Sequence, residues 1–104
     1  MKPHLIIDHS HKIKKQIDDF IHAFSKRSDA ELQYQKNLNE CGKILEKHID
    51  ATSEKSVSYI CSAFKVDNEQ RGNQAKDLSD TIKTEIIIPM SETNKNFGEL
   101  IKKS

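Results

Sequence analysis

The sequence predicts an all-α fold: an elongated antiparallel hairpin of two long helices. Three observations carry that prediction. Apolar residues recur at alternating steps of four and three over about five heptads. The chain is 35% hydrophobic and 32% charged, with three glycines, two prolines and no tryptophan, a composition that suits an exposed helical assembly better than a globule with one thick core. One short break, Asp50-Ala51-Thr52-Ser53, divides the 104 residues into two stretches, and so short a connection makes the two helices antiparallel neighbours.

Residues 1–8 form a lead-in, where Pro3 argues against helix at the very start. Ser10 is the expected N-cap, and the first helix runs from about His11 to His48 or Ile49. Between Lys12 and Lys47 it holds one glycine, Gly42, and no proline, which makes a rod of roughly 55 Å. Its packing line is Ile13, Ile17, Phe20, Phe24, Arg27, Glu31, Tyr34, Leu38, Cys41, Leu45 and His48. Most of these slots are apolar. Arg27 and Glu31 are charged and stand four residues apart, so they are placed to pair with each other and to fix register. Tyr34 is expected in the core with its hydroxyl satisfied. Cys41 is expected as a small buried hydrophobe.

Thr52 or Ser53 is the expected cap of the second helix, which begins at Glu54 or Lys55. Its stripe shows Val57, Ile60, Cys61 and Phe64, lapses between Lys65 and Gln74, and returns with Ala75, Leu78, Ile82, Ile86, Met90, Phe97 and Leu100 or Ile101. Gly72 lies in the polar middle and marks the weakest point of the rod, a candidate bend, because glycine costs about 1 kcal/mol relative to alanine in a helix. From Thr84 to Pro89 three consecutive isoleucines favour strand, and the proline removes a helical hydrogen bond. The stripe keeps helical register on both sides, so a kinked but continuing helix is expected. An apolar face still runs at Lys102-Lys103-Ser104, as in a chain that is the front part of a longer bundle. Two narrow seams bury little surface, so a second copy or further helices are expected to complete the fold.

Lysine plus arginine against aspartate plus glutamate is 17 to 16, so no bulk charge draws the chain to DNA. The charge is uneven. Residues 1–27 carry Lys2, Lys12, Lys14, Lys15, Lys26 and Arg27 against Asp8, Asp18 and Asp19, whereas residues 28–56 hold six carboxylates against four lysines. The basic residues are not interleaved with aromatics, so no nucleic-acid partner is expected. Cys41 and Cys61 form no metal-binding or redox motif. His9 and His11 beside Asp8 lack a third or fourth ligand at helical spacing, so no metal is expected. No nucleophile elbow, phosphate-cradling loop or carboxylate pair appears, so neither an enzyme nor a cofactor is expected. Leu5-Ile6-Ile7 is too short for a secretory signal, and no stretch approaches the length of a membrane span. Together these predict a cytoplasmic protein.

The pattern of an aromatic and aliphatic pair, Phe20-Ile21, followed by Arg27, Glu31, Tyr34 and Leu38, with Lys36 in a basic slot, resembles the segment that opens F-BAR domains. The second helix is similar as well: an acidic and polar stretch precedes Ile82, Glu85, Ile86 and Pro89, and in the family the helix passes through that proline. The resemblance covers roughly residues 9–104, with the opening segment over about 9–50 and the second long helix over about 54–104. F-BAR domains are more than twice this length, which again marks the chain as an N-terminal portion. The aromatic-rich short helix that usually opens the family is absent, and Gln35 stands where alanine is common.

The resemblance implies a homodimer on the cytoplasmic face of the plasma membrane or at the cell cortex. It implies binding to anionic phospholipids and phosphoinositides, sensing or generation of curvature, and endocytic or actin-regulatory partners. Each lysine near an anionic surface contributes about 1 kcal/mol, and the candidates are Lys12, Lys15, Lys26, Lys36, Lys43 and Lys47. The seam residues Phe20, Phe24, Arg27, Glu31, Tyr34 and Leu38 are the candidate dimer line. The rival reading is a helical protein-interaction or dimerisation module with no lipid affinity. A third is a regulatory fragment that competes for the interface of a longer relative.

Overall fold

The computed structural model describes the backbone of residues 3–49 and 54–103, and the side chains of residues 8–49 and 54–103. The described chain is helical almost throughout. Helix α1 spans Pro3–Ile49, α2 spans Lys55–Ile82, a π-helical turn spans Lys83–Ile87, and α3 spans Ile88–Lys103. The all-α antiparallel hairpin expected from the sequence is what forms.

Helix α1 starts earlier than expected. Pro3 opens the helix rather than preventing it, because a proline in the first turn has no hydrogen bond to lose and its fixed φ suits the helix. Ser10, the expected cap, therefore lies inside the helix and is buried. The other end falls at Ile49 as expected, with Lys47 and His48 in the last turn, where cations favour the dipole. The expected linker and caps at Asp50–Ser53 lie outside the described residues. Lys55 opens α2 as expected, and the Ser58 hydroxyl donates to the Ile49 carbonyl at 3.3 Å.

The chain divides into two compact units, Met1–Ser28 with Asp80–Ser104, and Asp29–Ser79. Antiparallel pairing is explicit in each. In the second unit Glu46 meets Lys65 at 3.7 Å, and Gln35 lies against Gly72. In the first, Asp18 accepts a hydrogen bond from Asn94 Nδ2, and Lys14 lies against Gly98.

Small residues set the line along which the helices approach. On α2 the buried positions are Asn68, Gly72, Ala75, Ser79 and Ile82, at strict steps of four and three. On α1 they are Ser10, Ser28 and Gly42, and the intervening heptad positions, from Lys14, Ile17, Ile21 and Phe24 to Gln35, Leu38, Leu45 and Ile49, are half-buried. The expected seam shares Ile17, Phe24, Glu31, Leu38 and Leu45 with this line. Its other half is displaced by one residue: Phe20, Arg27, Tyr34 and His48 are exposed, while Ile13 and Cys41 are only half-buried. The fully buried positions on α1 are small, Ile17, Ile21, Phe24, Leu38 and Leu45 are half-buried between them, and Phe20 and Tyr34 flank the line. Ala75 and Ile82 are the only buried apolar side chains among the described residues.

Gly72 does not interrupt the helix, since α2 runs through it unbroken. A Cβ there would meet Gln35 Cγ at 3.5 Å, an ordinary contact. Gly72→Ala is therefore expected to raise stability by roughly 0.5–1 kcal/mol through reduced chain entropy. A urea titration followed by circular dichroism measures this, and a loss of stability would show that the contact has no room for a methyl group.

The stretch before Pro89 resolves into a widened turn with helix on either side. Ile88 N–H bonds to the Lys83 carbonyl, five residues back. Proline cannot donate to Glu85 and its ring crowds that carbonyl, and one extra residue per turn relieves both. The turn also re-phases the seam. Ile82, Ile86, Met90 and Asn94 step by four three times in succession, Phe97 and Ile101 then resume the three-four rhythm, and Pro89 is left exposed. The inward member of the pair Leu100 and Ile101 is Ile101, while Leu100 is exposed.

Candidate functional site

The six candidate lysines occupy two outward positions of the α1 heptad. Lys12, Lys26 and Lys47 share one, separated by multiples of seven. Lys15, Lys36 and Lys43 share its neighbour. All six are exposed. The seam is what directs them outward: with Ser28, Gln35 and Gly42 turned toward the partner helix, these two positions fall on the far side of α1. Asp8, Asp19, Asp29 and Glu40 occupy the same two positions, so the face is basic but interrupted.

One flank of each unit is apolar. In an antiparallel pair, the heptad positions immediately before the first seam position of each turn lie on the same side of the two helices. In the second unit this side carries Tyr34 and Cys41 from α1 with Val57, Phe64 and Leu78 from α2, and Ile44 and Ile60 extend it outward. Ile60 is 63% exposed and Phe64 54%. Tyr34, Arg71 and Leu78 line one shallow cleft with Ala75 at its floor. The first unit has Ile13 and Phe20 on α1, and a groove on α3 lined by Thr93, Asn96, Phe97 and Leu100.

The opposite flank is polar. In the second unit Lys65 reaches Glu46 at 3.7 Å and Glu69 at 3.9 Å beside Asn39 and Asn68. In the first, Lys14 reaches Asp18 at 3.5 Å in a cleft whose other wall is α3. These ion pairs are exposed enough to contribute little on their own.

The motif residues take different places. Glu31 and Leu38 are half-buried on the seam, and Arg27 and Tyr34 are exposed beside it. Tyr34 was expected in the core but is 44% exposed. Its neighbour across the hairpin is Arg71, which donates to Asp67 at 2.8 Å. That hydrogen bond, then the charge of Asp67, then Tyr34 hold the guanidinium pKa above its usual value. Sequence reasoning missed Arg71, although its spacing of four from Asp67 was a usable sign. Cys41 and Cys61 are free thiols and half-buried. His9 and His11 are exposed, and among the described residues no three metal-ligating side chains gather. No described helix is long and apolar enough to cross a membrane.

No protein-family model, no curated protein and no solved structure matches the chain.

Proposed function

We propose that the chain is an F-BAR-like helical module that binds anionic membrane surfaces peripherally through the outward lysines of α1. It assembles as a homodimer through the apolar flank. The observation that carries the membrane reading is the placement of Lys12, Lys15, Lys26, Lys36, Lys43 and Lys47, all exposed and all turned away from the seam. A membrane needs no pocket, only several cations presented on one face. The passage of helix through Pro89 supports the family likeness, because the same sequence read locally would end there. In this reading the module works at the cytoplasmic face of the plasma membrane or at the cell cortex, within an endocytic or actin-regulatory adaptor, and has no catalytic role.

The test is co-sedimentation with vesicles. Vesicles carrying phosphatidylserine and phosphoinositides are expected to bind the chain in a salt-sensitive manner, and neutral vesicles are not. Changing Lys36, Lys43 and Lys47 together to glutamate is expected to weaken partitioning by at least about a hundredfold at unchanged helicity. Equal binding by the triple variant would sink the lysine face.

A second reading is supported by the apolar flank: a helical interaction module with no lipid affinity. It predicts a stable assembly that ignores every vesicle composition.

A further inference from the structure

We propose that His9 and His22 make the outward face of α1 in the first unit a pH-dependent contact for acidic membrane surfaces, one that tightens as the imidazoles take up protons. Resting on the membrane reading of the lysine face, this switch adds a control that lysines cannot supply. Histidine is the side chain whose charge ordinarily changes between about pH 5 and 8.

His22 follows Lys15 by seven residues and precedes Lys36 and Lys43 by whole heptads, so it stands in the same outward position as three of the candidate lysines. Lys26 lies one turn further on and Asp19 one turn back, both in the neighbouring outward position. His9 lies three residues before Lys12, on the other side of that neighbouring position. Both histidines are exposed.

The charge on this face is finely balanced. Lys12, Lys15 and Lys26 stand against Asp8 and Asp19, so its net positive charge is one with neutral imidazoles and three with both protonated. The same positions of α1 in the second unit hold Lys36, Lys43 and Lys47 against Asp29 and Glu40, with no histidine to change the balance. The pH response therefore belongs to the first unit. Packed against α1 there, α3 brings Lys95, Glu99 and Lys102 to the cleft at Lys14, on the seam side. Lys83, Glu85 and Glu92 are exposed along the π-helical turn and α3. Asp18, one turn before His22, is engaged by Lys14 and Asn94. An anionic surface favours the charged imidazole, so affinity is gained as pH falls through its titration and lost as pH rises.

Co-sedimentation of the full chain with vesicles of phosphatidylglycerol in phosphatidylcholine, whose charge is the same at both pH values, tests the switch. Between about pH 7.5 and about pH 5.5 partitioning is expected to rise at least about tenfold, from two added charges near the surface. His9→Gln with His22→Gln is expected to remove that rise. His11→Gln with His48→Gln, at exposed positions outside this face, is expected to keep it. His9→Lys with His22→Lys is expected to bind at the higher pH as tightly as the unmodified chain does at the lower. Equal partitioning of the unmodified chain at the two pH values, or a rise that survives in the His9 and His22 glutamine variant, would overturn the switch.

The same vesicles separate the switch from the lysine face on which it rests. Binding that depends on Lys36, Lys43 and Lys47 but is the same at both pH values removes the switch and keeps the membrane reading. Binding that rises at low pH through His9 and His22 yet is unchanged by the triple lysine variant keeps the switch and removes those lysines. No binding at either pH by the unmodified chain removes both.

Discussion

Replacing Ile60 and Phe64 together by aspartate is expected to convert a dimer of this chain into monomers at concentrations where the unmodified protein stays associated. Both side chains lie on the apolar flank of the second unit and are more than half exposed. With only Ala75 and Ile82 buried as apolar side chains among the described residues, the pair of helices gains little from its own seam. In the proposed homodimer, covering the flank supplies the burial that the seam lacks. Full burial of an isoleucine or phenylalanine contributes about 1.5–3 kcal/mol, and a two-fold interface counts each substitution twice. Only about half of each side chain remains to be covered, so a rise in the dissociation constant of at least about a hundredfold follows. Sedimentation velocity measures it. Tyr59→Asp with Val66→Asp is the matched control, since both residues are exposed on the other side of α2 and lose comparable apolar surface. Equal dissociation by the two pairs, or none by either, would reject the flank as the interface.

The existence of two long antiparallel helices was legible because it rests on signals that need no tertiary information: period, composition and a short polar break. Ile49 and Lys55 fell where the sequence placed them. Pro3 misled because its effect depends on position, and the same ring that breaks a helix interior suits its first turn. The seam was half legible. Apolar periodicity points to the widest greasy line, and on α1 that line includes Phe20 and Tyr34. The buried positions include Ser28, Gly42, Gly72 and Ser79, residues that hydropathy ranks as surface, and the two glycines receive side-chain stems from the facing helix, Lys65 at Gly42 and Gln35 at Gly72. The steps of four from Leu78 to Ile82, Ile86 and Met90 were visible and already implied an extra residue per turn. Read as a kink at Pro89, they concealed a re-phased seam. The cleft between Lys14 and α3 was not legible at all, because its two walls come from opposite ends of the chain.

Ser79→Leu is expected to destabilise the second unit by about 3 kcal/mol or more, and it decides between the two seams. Ser79 is fully buried and follows Gly72 by seven residues, so a leucine there must enter the contact itself. Overpacking a tight contact costs about 1–3 kcal/mol. Here the cost is expected at or above the upper end, since position 79 is fully buried and its seam neighbours Ala75 and Ile82 are buried as well. Ser79→Ala keeps the volume and gives up the hydroxyl, a loss of about 1 kcal/mol. The difference between the two effects is the informative quantity, because it cancels any contribution common to both. If the bulky line through Phe20 and Tyr34 were the true contact, position 79 would lie beside it rather than in it. Leucine would then add apolar surface and stabilise, as binary patterning would suggest. Urea titrations of the three proteins, followed by helicity at equal concentration, separate these outcomes. Greater stability in Ser79→Leu than in Ser79→Ala would return the seam to the apolar line. The opposite order, with a gap of about 2 kcal/mol, would place the helices in close approach along serine, glycine and alanine, and so leave Phe64, Ile60 and Tyr34 for a partner to cover.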